Sequence, residues 1–338
     1  MKRTRVVGAV AVGVIALVLA DVASAQLLGG GVHDRIAAAR VSDFPAKGSL
    51  STAESRTLVF AGGKRQYLIQ PVRGSSRHPV VIVLHGGDSD NKTVWTETSL
   101  PTLGARFGFI VVAPNASMNK HWNDGRGTVG EGKPSTADDV GYLKALIVEI
   151  VERDNGDAGA VFMAGVSNGG VMTIRFACQA GNLLRAAGNV ISNMPSKLSD
   201  SCKIGKGLPW LSINGDHDPR MPFHGYADGT VILGHHQAGL ESADRTFAFF
   251  ADKAGCSAAV QIETIPDIDR SDGSRAEKRV RGGCAGGTTS TQYVLHGAGH
   301  GWPGFAYSVQ SARLRGGVNE DIDSGSVIWA HFQQTLRH

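Results

Sequence analysis

The stretch Gly165-Val166-Ser167-Asn168-Gly169 decides the fold. It follows an apolar run, residues 160–164, and precedes residues 171–178, whose apolar spacing is helical. A Gly-x-Ser-x-Gly segment between a strand and a helix holds its serine on a strained turn, where a bulky neighbour would collide with the adjoining elements. The turn exposes the serine oxygen at the C-terminal edge of a sheet, beside a helix N-terminus that favours developing negative charge. Gly and Ser also fill ordinary turns, so the reading of Ser167 as a nucleophile depends on the rest of the chain.

Working outward, apolar runs and helical patterns alternate. Residues 56–60 and 66–71, separated by Gly62-Gly63, read as a hairpin. Residues 79–84 form a β-branched run suited to a strand buried on both faces, and 109–113, 160–164, 210–214 and 292–295 repeat that signature. Helical spacing covers 137–153, 169–180, 242–254 and 326–336. Strands alternating with helices predict an α/β fold in a single domain, with a mostly parallel central sheet and helices on both faces. The Gly/Asp-rich residues 123–134 read as a long loop near the future site.

At 338 residues and 42% hydrophobic, the chain can bury one large core. Lys2, Arg3 and Arg5 precede an apolar stretch at 6–20, and Ala23-Ser24-Ala25 follows, so residues 1–25 read as a secretory signal peptide. Residues 26–52 then read as a tether and 53–338 as the catalytic domain. Removing three basic residues and Asp21 brings the formal charge from +4 to about +2, too mild for a polyanionic partner. Without a Lys/Arg block, nucleic acid is not indicated, and no stable membrane anchor is expected after cleavage. The expected location is secreted or periplasmic. Cys178, Cys202, Cys256 and Cys284 are an even set, which favours two disulfides in such a compartment. Pairing in order closes the shortest loops and is the expected connectivity.

A serine hydroxyl needs a base, a group to orient the base, and donors for the oxyanion. After residues 210–214 comes a loop with two acids, Asp216 and Asp218. Asp218 lies farther into the loop, before Pro219, and is the expected orienting acid. His300, between Gly299 and Gly301 after the last strand, is the expected base, ahead of His296, which is still in the strand register. The oxyanion donors are expected to be the N–H groups of Asn168, directly after the serine, and of Gly87 in His85-Gly86-Gly87-Asp88. Trp122 and Trp302 are candidate walls of a substrate-binding pocket. His217, His224, His235 and His236 match no ligand spacing, so no metal is expected, and the scheme needs no cofactor.

These residues together resemble the esterase family of polyhydroxybutyrate depolymerases and the carbohydrate-active feruloyl and acetylxylan esterases. The resemblance rests on Leu84-His85-Gly86, Asp139 to Leu143, Gly165 to Gly170, Asn214-Gly215 through Asp218 to Pro222, and Gly299-His300-Gly301-Trp302-Pro303-Gly304. It implies the α/β-hydrolase fold, maps the family's aspartate and histidine onto Asp218 and His300, and agrees with the cysteine positions. It also implies an exported serine carboxylesterase acting on short hydroxyalkanoate oligomers or related soluble esters. A feruloyl or acetyl sugar esterase and an acyltransferase are the alternatives, with a ligand-binding protein behind them. The chain departs from the pattern at Asn214, where the family often has His, and at Gly87. Members acting on solid polymer usually add a surface-binding domain, and none is seen here, which points to small or oligomeric esters.

Overall fold

The computed structural model describes residues 43–117, 120–127, 135–204, 207–232 and 234–337. The predicted signal peptide, most of the predicted tether and residues 128–134 of the 123–134 loop lie outside them. The main sheet is built from β1 (Glu54–Phe60), β2 (Gly63–Gln70), β3 (His78–Leu84), β4 (Ile110–Pro114), β5 (Gly156–Val166), β6 (Ala186–Val190) and β7 (Trp210–Gly215). After a small hairpin, β8 (Val231–Ile232) with β9 (His235–His236), come β10 (Val260–Thr264), β11 (Arg275–Arg281) and β12 (Ser290–His296). The helices are α1 (Asn91–Glu97), α2 (Leu100–Phe107), α3 (Asp139–Arg153), α4 (Asn168–Ala180), α5 (Ser196–Ser199), α6 (Ala243–Lys253), α7 (Val309–Leu314) and α8 (Ser324–Thr335).

The ten strands run in the order β1-β2-β4-β3-β5-β6-β7-β12-β11-β10. From β4 to β12 every neighbouring pair is parallel, and antiparallel pairs close both edges. This is the α/β-hydrolase fold. Side chains of a strand alternate between faces, so β3 sends Val81 and Val83 into one core and Val80, Ile82 and Leu84 into the other. On the first face lie Leu100 and Leu103 of α2 with Trp329 and Phe332 of α8; on the second lie Tyr142 and Leu146 of α3 with Met172 and Phe176 of α4.

Two features depart from the sequence reading. Residues 47–52, expected as tether, are docked: Lys47 pairs with buried Asp323, the Gly48 N–H donates to Thr98 O (2.9 Å) and Trp95 Nε1 donates to Ser49 O (3.0 Å). Strands β6, β10 and β11 and helices α1 and α2 are additions. Both disulfides join the cysteines in chain order, Cys178 to Cys202 and Cys256 to Cys284. The first ties the end of α4 to the segment after α5. Among the described residues no helix is long and apolar enough to cross a membrane.

Candidate active site

Ser167 is the single residue between β5 and α4, and its backbone sits at φ 54°, ψ −123°. A non-glycine residue in the left-handed region is strained, and the cost is met by surrounding structure. The adjoining glycines allow that closeness. A Cβ on Gly165 would lie 2.3 Å from Gly169 O, and one on Gly169 would lie 2.3 Å from His85 O. Strand, turn and helix therefore cross with no room for a side chain.

The loops after β7 and β12 bring the other two groups in. His300 Nε2 lies 2.9 Å from Ser167 Oγ, and His300 Nδ1 lies 2.8 Å from Asp218 Oδ2. Because Asp218 accepts at Nδ1, that nitrogen carries the proton, which leaves Nε2 to accept from the serine hydroxyl. The other oxygen of Asp218 accepts from the backbone N–H groups of Arg220 and Met221, both at 2.8 Å. One carboxylate thus shapes its own turn and holds the imidazole. Asp218 and His300 are both buried, at 5% and 6% exposed, which shields this chain of bonds from water. The alternative acid and base pair with each other instead: Asp216 Oδ2 meets His296 Nδ1 at 2.9 Å, and Asp216 Oδ1 accepts from the Gly297 N–H at 2.8 Å.

Facing the elbow is the loop after β3. Ala116 N–H donates to His85 Nε2 (3.0 Å), so the His85 proton is on Nδ1, which donates to Gly86 O (2.7 Å). Burial pushes the His85 imidazole down to about 4, so the ring is neutral at pH 7 and keeps that tautomer. Gly87 and Asn168 both line the cavity over Ser167. A Cβ on Gly87 would lie 2.7 Å from His121 Nε2, so a side chain here would displace the His121 imidazole. Asn168 opens α4, where its N–H has no partner one turn earlier and points toward the helix N-terminus. Its side chain is occupied elsewhere: Oδ1 accepts from the Trp122 N–H (2.7 Å) and Nδ2 donates to Asp124 Oδ2 (2.6 Å).

The two tryptophans take different places. Trp302 lines the cavity, whereas Trp122 lies beneath it, donating Nε1–H to His85 O (2.9 Å) and packing against the His85 ring at 5.2 Å. Trp122 is therefore a prop of the loop rather than a wall. The sequence reading also missed several cavity residues. Glu97, Arg126, Ile191 and Arg315 line it, and the β8–β9 hairpin contributes Ile232 and His235. Arg126 is fully paired with Asp124 (2.6 Å), and Arg315 donates to His300 O (2.8 Å). No local motif announces these residues; they come from separate helices, strands and loops. A positive φ of 43° at Ile191 is visible only in the backbone. The cavity measures about 660 Å³, of the size of a small-molecule site.

The chain is similar to known esterases. Residues 65–197 match the family described as esterase PHB depolymerase. NocK of Nocardia uniformis subsp. tsuyamanensis, an esterase by name, is 24% identical over 280 residues, covering 78% of this chain and 77% of that protein. Feruloyl esterase B of Neurospora crassa is 29% identical over 113 residues, 32% of this chain and 37% of that protein. The solved acetyl xylan esterase from Aspergillus awamori superposes with a TM-score of 0.51 at 15% identity, covering 73% of this chain and 94% of that one, a likeness of fold.

Proposed function

We propose, for this carboxylic-ester hydrolase whose residues 65–197 match the esterase PHB depolymerase family, a serine acyl-enzyme mechanism on short hydroxyalkanoate-type oligomers or related soluble esters. The observation that carries the reading is the unbroken line from Ser167 Oγ through His300 to Asp218, with steps of 2.9 and 2.8 Å. Ser167 passes its proton to His300 Nε2 as it attacks the ester carbonyl, and Asp218 stabilises the imidazolium. The N–H groups of Asn168 and Gly87 receive the oxyanion, each worth on the order of 3 kcal/mol in the transition state. His300 then protonates the leaving alcohol, and water repeats the cycle to free the acid.

The cavity favours a compact, partly polar ester. Charged residues such as Glu97, Arg126 and Arg315 share its wall with Val166, Ile191 and Trp302, which leaves no long apolar sleeve for a fatty chain. We further read residues 53–338 as one catalytic unit and residues 1–25 as a signal peptide removed on export; the two disulfide bonds fit an oxidising compartment. Replacing Ser167 by Ala tests the mechanism. Turnover of p-nitrophenyl butyrate and labelling by a fluorophosphonate should both vanish with the thermal midpoint little changed. Retention of most of the activity would overturn the mechanism. A panel of hydroxybutyrate oligomers, methyl ferulate and acetylated xylose then ranks the substrates.

A further inference from the structure

The proposed reaction gives no role to Arg220, which lines the cavity. Arg220 lies two residues beyond Asp218, and its N–H donates to the Asp218 carboxylate (2.8 Å), so its backbone is fixed at the acid–base end of the site. It lines the cavity together with Ser167 and His300. The other two arginines of the wall are engaged. Arg126 is held by Asp124 at 2.6 Å, and Arg315 lies 4.3 Å over the Tyr307 ring while it donates to His300 O. Among the described residues, no hydrogen bond or ion pair occupies the Arg220 guanidinium. It is an exposed cation on an anchored backbone, without a partner among the described residues, at the wall of the space in which substrate must lie.

Among the described residues, the acids lining the cavity stand elsewhere. Asp88 follows Gly87 on the loop after β3, and Arg220 follows β7; in the sheet order these strands are three spacings apart, roughly 14 Å. The Asp88 side chain is 87% exposed, with His121 at 3.7 Å. Glu97 accepts from Tyr307 Oη at 3.3 Å, and its carboxyl is raised by burial, which weakens it as a counter-ion. A negative group of the substrate therefore finds its best station at the β7 end of the cavity.

Reaction geometry says which part of the substrate carries that charge. The leaving alcohol takes its proton from His300, so it must lie toward the loops after β7 and β12, where Arg220 stands. We propose that Arg220 selects esters whose leaving alcohol bears a carboxylate, such as the free-acid end of a linear hydroxyacid oligomer, so that the enzyme cleaves at that end. The inference deepens the serine-esterase reading and rests on it. A planar guanidinium suits a carboxylate, which it can grip through two parallel N–H donors.

The experiment compares kcat/KM of the full chain for cleavage of the internal ester of the linear 3-hydroxybutyrate dimer with that for the methyl ester of the same dimer, in which a methyl group removes the charge. The free acid should be favoured about tenfold, mostly through KM, a difference equivalent to about 1.4 kcal/mol. That preference should shrink at high salt, because Arg220 is exposed to solvent. Arg220→Gln should bring the ratio close to one, and Arg220→Lys should retain part of the preference. Placing the carboxylate on the acyl side, in p-nitrophenyl hemisuccinate, should gain nothing over p-nitrophenyl butyrate. A wild-type ratio near one, a ratio that survives Arg220→Gln, or a gain for the hemisuccinate would each overturn the assignment. If p-nitrophenyl butyrate itself is not turned over, the esterase mechanism falls and this inference with it, an outcome distinct from all of those.

Discussion

Replacing Asp218 by Asn perturbs the site at a defined atom. One oxygen of Asp218 is engaged by the N–H groups of Arg220 and Met221, both at 2.8 Å, and the other by His300 Nδ1 at 2.8 Å. An amide has one oxygen, and the two backbone donors claim it. Its NH2 group then faces Nδ1, donor against donor. The imidazole recovers a bond only by shifting its proton to Nε2, which points that proton at Ser167 Oγ, 2.9 Å away. In that tautomer the ring cannot take the serine proton. The expected loss is roughly 10⁴-fold in kcat, or about 5 kcal/mol of transition-state stabilisation. Stability should fall by no more than about 1 to 2 kcal/mol, because both backbone donors keep an acceptor. Steady-state hydrolysis of p-nitrophenyl butyrate, beside a urea titration of each protein, measures both quantities. The matched control is Asp216→Asn, which disturbs the bond to His296 outside the catalytic line and should cost less than about tenfold. An Asp218→Asn enzyme within tenfold of wild type, or an Asp216→Asn enzyme equally crippled, would refute the reasoning.

Two further predictions concern the scaffold. His85 has its imidazole pushed by burial from 6.5 down to about 4, so the unfolded chain binds a proton that the folded one declines. Its contribution is complete above about pH 6.5 and is lost as the pH falls toward 4; that separation amounts to at most about 3 kcal/mol. Denaturant titrations at pH 7 and pH 4 should show a shallower decline for His85→Gln than for wild type, and equal declines would contradict it. The disulfides close loops with sequence separations of 24 and 28 residues, so each should contribute about 3 kcal/mol by limiting the unfolded chain. The double replacement Cys178→Ser with Cys202→Ser should lower the unfolding free energy by about that amount, and an unchanged midpoint would count against a stabilising bridge.

The parts of the fold legible in the chain are those whose signal is local. Strands β3, β4, β5, β7 and β12 are apolar runs, and α3, α4, α6 and α8 show helical spacing, because burial on both faces or on one stripe writes itself into consecutive residues. Strand β6, Ala-Ala-Gly-Asn-Val, has poor strand propensity and is extended because β5 and β7 pair with it on either side. Strand β11, Arg-Ala-Glu-Lys-Arg-Val-Arg, is charged, and becomes a strand by pairing with β12 near the sheet edge. Trp122 shows the same limit at the site, since composition cannot tell a cavity wall from a prop beneath one.

Sequence by itself determined the elbow at Ser167 and the chain order in which serine, acid and histidine follow their strands. The chain order is read directly, and Gly165 is fixed by a contact within its own turn, with Gly169, whereas Gly169 is also fixed by the close approach of His85 from the loop after β3. Only the tertiary structure decided that Asp218, rather than Asp216, stands behind His300, that Trp122 supports the loop of Gly87, and that Arg126, Arg220, Arg315 and the β8–β9 hairpin meet over the serine. Those relations join segments as distant in the chain as Arg126 and Arg315, and distances across such spans are set by how the strands order and the cores pack.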